Sequence, residues 1–165
     1  MSRPLQLALI LVNVAFWGAI LGWTAFADHP YDPPDHLDDP AFASAAEPLC
    51  AEAQAAVVAL GGPTEVATPE DRAQLVDDGN LILREMLTEL GTLPSPTGEE
   101  AGWVTQWLAD WAAHVDDRQR WADSLRAGRD GPFTETARGA VQLSRVIDNF
   151  AEVNLMESCK TSGDV

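Results

Sequence analysis

Apolar side chains run without a single charge between Leu5 and Phe26, and beyond that point they recur at intervals of three and four. The first pattern has membrane length. Residues 5–26, LQLALILVNVAFWGAILGWTAF, hold only Gln6, Asn13 and Thr24 as strongly polar positions. As a helix they reach roughly 33 Å, enough for a hydrocarbon core of about 30 Å. Arg3 is the one basic side chain ahead of them, whereas Asp28, Asp32, Asp35, Asp38 and Asp39 follow with no Lys or Arg until Arg72. This asymmetry predicts a single-pass anchor in the cell membrane, N-terminus cytoplasmic and the rest of the chain extracytoplasmic. Trp17, Trp23 and Phe26 would form its outer aromatic belt, and Asn13, Gly18 and Gly22 would pack against other membrane helices. Ala25-Phe26-Ala27 also reads as a signal-peptidase site, so release of a secreted domain after Ala27 is the alternative.

Residues 28–47, DHPYDPPDHLDDPAFASAAE, read as an acidic linker. Pro30, Pro33, Pro34 and Pro40 favour extended segments over helix, and the aspartates repel one another along it. From residue 48 the period becomes helical, with no convincing strand. A first helix is expected over 48–60, with Pro48 at its start and Gly61-Gly62-Pro63 as its stop. Its apolar face is Leu49, Ala53, Ala56, Val57 and Leu60. The second opens on Thr68-Pro69-Glu70-Asp71, a capping sequence, and ends at Gly91. Leu75, Val76, Gly79, Ile82, Leu83, Met86, Leu87 and Leu90 form its buried stripe, while Asp77, Asp78, Glu85 and Glu89 face away. The third, 99–127, carries Trp103, Trp107, Trp111 and Trp121, widened by Val104, Leu108, Val115, Ala122 and Leu125 into an arc of about 140°. The fourth, 134–158, places Ala140, Leu143, Ile147, Phe150, Ala151 and Val153 inward.

The expected organisation is therefore an anchor or signal segment over 1–27, a linker over 28–47, a helical domain over 48–159 and a flexible tail over 160–165. Cys50 and Cys159 are the only cysteines. In an antiparallel four-helix bundle the start of the first helix and the end of the fourth share one end, so the two are expected to form a disulfide, as an exported location permits. Closing a loop of that length contributes on the order of 4–5 kcal/mol.

Charge narrows the partners. Nine of ten basic side chains and all 26 acidic ones follow Ala27, a net charge of −17 for that part. Such a surface has no affinity for the phosphates of nucleic acid or for an anionic lipid face. The Ala- and Asp-rich, Lys-poor usage resembles that of proteins from high-GC or salt-adapted genomes, a trait of source rather than of function.

Several side chains invite a chemical reading. Aromatic rows bind flat or cationic ligands, but Trp103, Trp107 and Trp111 at i, i+4, i+8 on an apolar face serve a core better. An exposed member would instead anchor an interface. Arg118 falls inside the apolar arc, where it must snorkel, stack or pair with Asp77, Glu85 or Asp148, or else bind an anion. Asn154 sits on the inward line of the fourth helix and needs buried partners. His114, flanked by Asp110 and Asp117, is expected to form a surface ion pair and is a weak metal candidate. His29 and His36 among linker aspartates are equally weak, since prolines prevent helical pairing of the two. No GxSxG, HExxH, P-loop or GxGxxG sequence occurs, and no cofactor is implied.

The sequence reads as an all-α, non-enzymatic interaction module, anchored in the membrane and docking another membrane or cell-surface protein. The alternative is a secreted soluble binder of a metal or a small anion, and the third is an enzyme of unknown class.

Overall fold

The computed structural model describes residues 12–13, 16–18, 35–62 and 68–161. The chain divides into two compact units, Met1–Asp32 and Pro33–Val165. In the first, the described residues are helical, and Phe16 meets Trp17 edge to face. Apart from them the expected span over 5–26 lies outside the described residues, as does His29. No helix among the described residues is long and apolar enough to cross a membrane.

The second unit is mostly helical. Helix α1, Ala41–Ala59, begins two turns earlier than the sequence suggests and carries Pro48 within it. Asp39 Oδ1 accepts the Ala41 N–H at 2.9 Å, and Ser44 N–H reaches Pro40 O at 2.8 Å. Pro48 removes the hydrogen bond to the Ser44 carbonyl, a defect normally costing about 3 kcal/mol. Burial of Phe42, Ala43 and Ala46 on the preceding turns offsets it. The expected linker is thus corrected: with Leu37 also buried, its second half belongs to the core.

Helix α2, Pro69–Leu90, starts where its capping sequence says. Thr68 Oγ1 accepts from Asp71 N–H at 3.1 Å and donates to the Asp71 carboxylate at 2.7 Å. Helix α3, Glu99–Arg126, is the longest element and packs most extensively against α2. Arg126 draws these two helices together at the surface. Its guanidinium hydrogen-bonds Asp77 at 2.5 Å and Glu70 at 3.3 Å, which raises its pKa above the ordinary arginine value.

The expected fourth helix over 134–158 is only half correct. Residues Ala137–Arg138 (β1) and Val141–Gln142 (β2) form a two-stranded antiparallel hairpin, with Ala137 opposite Gln142 and Arg138 opposite Val141. Gly139, at φ +64°, turns it in a conformation that disfavours side chains. Ala140, expected in the core, is exposed at that turn. Helix α4, Leu143–Val153, follows, and a 3-10 turn, Glu157–Cys159, closes the fold against α1.

Leu155 ends α4 in the left-handed region, at φ +58°. Met156 N–H then reaches back to Ala151 O at 2.8 Å. Leu155 is 82% exposed, so its side chain contributes little packing while its Cβ strains the turn. Leu155→Gly is expected to stabilise the protein by about 1 kcal/mol, read as a rise in the urea midpoint. An unchanged midpoint would mean the turn carries no strain.

The core centres on Trp107, with Phe42, Leu83, Met86, Trp111, Val115, Ile147, Phe150 and Met156 around it. A smaller cluster, Ala73, Val76, Ala122 and Leu125, joins α2 to α3 elsewhere. Cys50 and Cys159 are bonded, both fully buried, with Cα atoms 5.0 Å apart. Around them Glu47 accepts the Ser158 N–H at 3.0 and 3.1 Å, and Gln54 Nε2 donates to Lys160 O at 2.8 Å. Lys160 Nζ lies 2.7 Å from Glu157, whose hydrogen bond holds the ammonium pKa above its ordinary value. Thr161 N–H and Oγ1 both donate to Asp148 Oδ1. The expected tail therefore starts as docked chain at 160–161, and 162–165 lie outside the described residues.

Candidate functional site

Helix α3 carries the polar residues that the sequence singles out, and the segment after it explains them. Asp110, His114 and Asp117 recur along one edge and are 5%, 4% and 2% exposed. The expected surface pair of His114 with its own helix neighbours is corrected. Residues 127–142, read from the sequence as spacer and helix start, fold over this edge instead. Asp117 accepts from Thr136 N–H at 2.6 Å and Thr136 Oγ1 at 2.9 Å, and pairs with Arg120. Asp110 accepts from Gln106 Nε2 at 3.1 Å and pairs with Arg138 of β1. His114 Nδ1 lies 3.4 Å from Glu135 Oε2, and its ring stands edge-on to Trp111 and Phe133. Glu135 in turn accepts from Ser144 N–H at 2.9 Å and Ser144 Oγ at 2.7 Å, capping the start of α4. These acids fasten a strap to a helix. Among the described residues no group of three or more His, Cys, Asp and Glu side chains is arranged to hold a metal ion. His36 is half-buried.

On the flank facing α2, Arg118 is buried and its Nε donates to Asn80 Oδ1 at 2.9 Å. Asn80 Nδ2 reaches Gln119 Oε1 at 3.4 Å, and Gln119 Nε2 donates to Asp77 Oδ1 at 2.8 Å. Gly79 belongs to this arrangement, because a Cβ there would stand 3.2 Å from the Arg118 guanidinium. Asn154 is also bonded at both ends of its amide. Its Oδ1 accepts from Leu37 N–H at 2.8 Å, and its Nδ2 donates to Asp35 O at 3.1 Å and Phe150 O at 2.9 Å. It stitches the chain before α1 to the end of α4.

The tryptophan row divides. Trp107 and Trp111 are buried, whereas Trp103 and Trp121 are half-buried. Trp121 Nε1 donates to Gly131 O at 2.8 Å, which commits that ring to the strap. No member of the row is exposed.

Three concavities among the described residues bear on function. A narrow crevice beside Trp111, His114, Arg118, Ser158 and Thr161 has room for about a single water molecule. A second, about 350 Å³, lies beside Trp103, Gln106, Asp110 and Arg138. The widest, about 510 Å³, is an open groove between α1 and α2. Leu49, Ala53 and Ala56 of α1 and Ile82 and Met86 of α2 form its apolar floor, and Glu52, Glu85 and Glu89 its rim. Small alanines opposite Ile82 leave space that larger side chains would fill. The sequence placed Glu85 and Glu89 outward but gave no sign that a groove lies between them and Glu52.

The described residues define a disulfide-closed, mostly helical domain with a wide groove, apolar at its floor and acidic at its rim, among these concavities. No protein-family model, no curated protein and no solved structure matches the chain.

Proposed function

We propose that this chain is a non-enzymatic interaction module. A four-helix domain stands outside the cell membrane on an acidic, proline-rich stalk and docks another membrane or surface protein. The observation that carries the reading is the α1–α2 groove, an apolar floor left open between two helices. Groups that could do chemistry are otherwise engaged: Asp110, Asp117, Glu135 and Asn154 each bond within the fold. The crevice at Arg118 admits about one water, too little for an organic anion without movement. Anchorage and exposure outside rest on the apolar stretch, its charge asymmetry and a disulfide that an oxidising compartment would maintain.

The test is native electrophoresis of mildly solubilised source membranes, with intact mass measured on the same fraction. The chain is expected to migrate in a complex larger than itself, with a mass counted from Met1 that gains two hydrogens on reduction. A chain migrating alone would overturn docking. A soluble chain beginning at Asp28 would replace the anchored module with a secreted binder, which the Ala25-Phe26-Ala27 sequence favours as the second reading.

A further inference from the structure

The groove has a charge as well as a shape. Glu52, Glu85 and Glu89 line it and are exposed. None of the three makes a side-chain hydrogen bond or ion pair among the described residues. Glu85 and Glu89 stand four residues apart on α2, a spacing at which like charges repel. An apolar floor between unneutralised carboxylates is complementary to a segment with apolar side chains on one face and cations beside them.

A second copy of this chain is poorly equipped to be that segment. Of its ten basic side chains, Arg72, Arg84, Arg120, Arg126, Arg138 and Lys160 are held in ion pairs, and Arg118 is buried against Asn80. The groove runs from Leu49 to Ala56 and from Ile82 to Glu89, about two helical turns or roughly 10 Å. Apolar side chains at i, i+4 and i+7 of a helix span that length. We infer that the groove receives a cationic amphipathic helix of a partner protein, its apolar face on Ile82 and Ala56 and its Lys or Arg side chains on Glu52, Glu85 and Glu89. The inference rests on the docking role proposed above and names the class of partner.

The isoleucines provide the readout. The chain has four, Ile10, Ile20, Ile82 and Ile147. Ile82 lines the groove and Ile147 is fully buried in the core. Full-length protein labelled at isoleucine methyls, in neutral detergent, is titrated with a designed Leu/Lys peptide patterned as an amphipathic helix. A scrambled peptide of the same composition is the comparison. The Ile82 methyl is expected to shift saturably with the patterned peptide alone, while Ile147 stays in place. Neutralising the rim with E52Q/E85Q/E89Q is expected to weaken binding about tenfold, as three exposed ion pairs would. The charge-matched control D38N/D78N/E99Q is expected to leave it within about twofold.

An unmoved Ile82, equal binding of the scrambled peptide, or equal loss in both charge variants would overturn the inference. So would an Ile82 shift on simple dilution, which would put a second copy in the groove. The rim variant also separates the two levels of the argument. If it retains the native membrane complex unchanged, the groove assignment fails and the docking role stands. If wild type forms no complex, the docking role itself fails.

Discussion

Removing the Cys50–Cys159 bond, by C50A/C159A or by reduction, is expected to lower the unfolding free energy by about 4 kcal/mol and the Tm by roughly 10–20 °C. The bond closes a loop of 109 residues, so it removes a large share of the unfolded chain's freedom. The Cα atoms stand 5.0 Å apart, within the usual range for a disulfide. Alanine is the right replacement. Both positions are fully buried, and a serine hydroxyl there would add the separate cost of an unsatisfied polar group. The polar contacts nearby, Ser158 N–H to Glu47 and Gln54 to Lys160 O, cannot take over the constraint, since they exist only in the folded state. Thermal unfolding followed by circular dichroism, with and without reductant, measures the effect directly. A Tm that ignores reductant would mean the cross-linked loop holds its shape in the unfolded ensemble.

The pairing of those cysteines was legible for a reason that proved partly incorrect. The sequence placed Cys50 at the opening of a helix, but it lies midway along α1, and its partner sits in a 3-10 turn rather than at the end of α4. What survives is the topology that returns the chain to α1. Local signals were reliable where the physics is local: Thr68-Pro69 starts α2 because a side-chain cap and a fixed φ act on adjacent residues. They misled where a distant contact decides. Pro48 favours a helix start, yet burial of Phe42 and Ala46 keeps the preceding turns helical. Gly139 falls inside the helix expected over 134–158, but its left-handed conformation turns a hairpin there. Asp110, His114 and Asp117 read as solvated because their partners, Arg138, Glu135 and Thr136, belong to a strap whose course no periodicity reveals. The groove was hidden for a deeper reason. It is defined by what Ala53 and Ala56 fail to fill opposite Ile82, and a gap leaves no pattern on either helix alone.

Trp107→Ala is expected to destabilise the domain by about 3–5 kcal/mol, the range for deleting a buried aromatic side chain. Trp107 is 2% exposed and touches two other helices, α1 and α4, at once. Phe42 meets it edge to face at 6.3 Å, Phe150 stacks at a tilt at 5.4 Å, and its Nε1 donates to Ile147 O at 3.3 Å. Truncation would therefore loosen the start of α1 and the middle of α4 together, with little chance for either to collapse into the space. Trp107→Phe keeps most of the packing and loses the hydrogen bond, for a cost nearer 1–2 kcal/mol. Trp103→Ala, one turn earlier and half-buried, is expected to cost about 1–2 kcal/mol. Urea midpoints at constant m-value rank the three variants. The ranking bears on function because it assigns the indoles. If Trp107→Ala unfolds the domain while Trp103→Ala scarcely matters, the row is a spine that sets the spacing of the helices. Docking then depends on the groove at Glu52, Glu85 and Glu89. If Trp107→Ala instead keeps its stability and loses its membrane complex, the row itself reaches the partner, and the core would have to be redrawn without it.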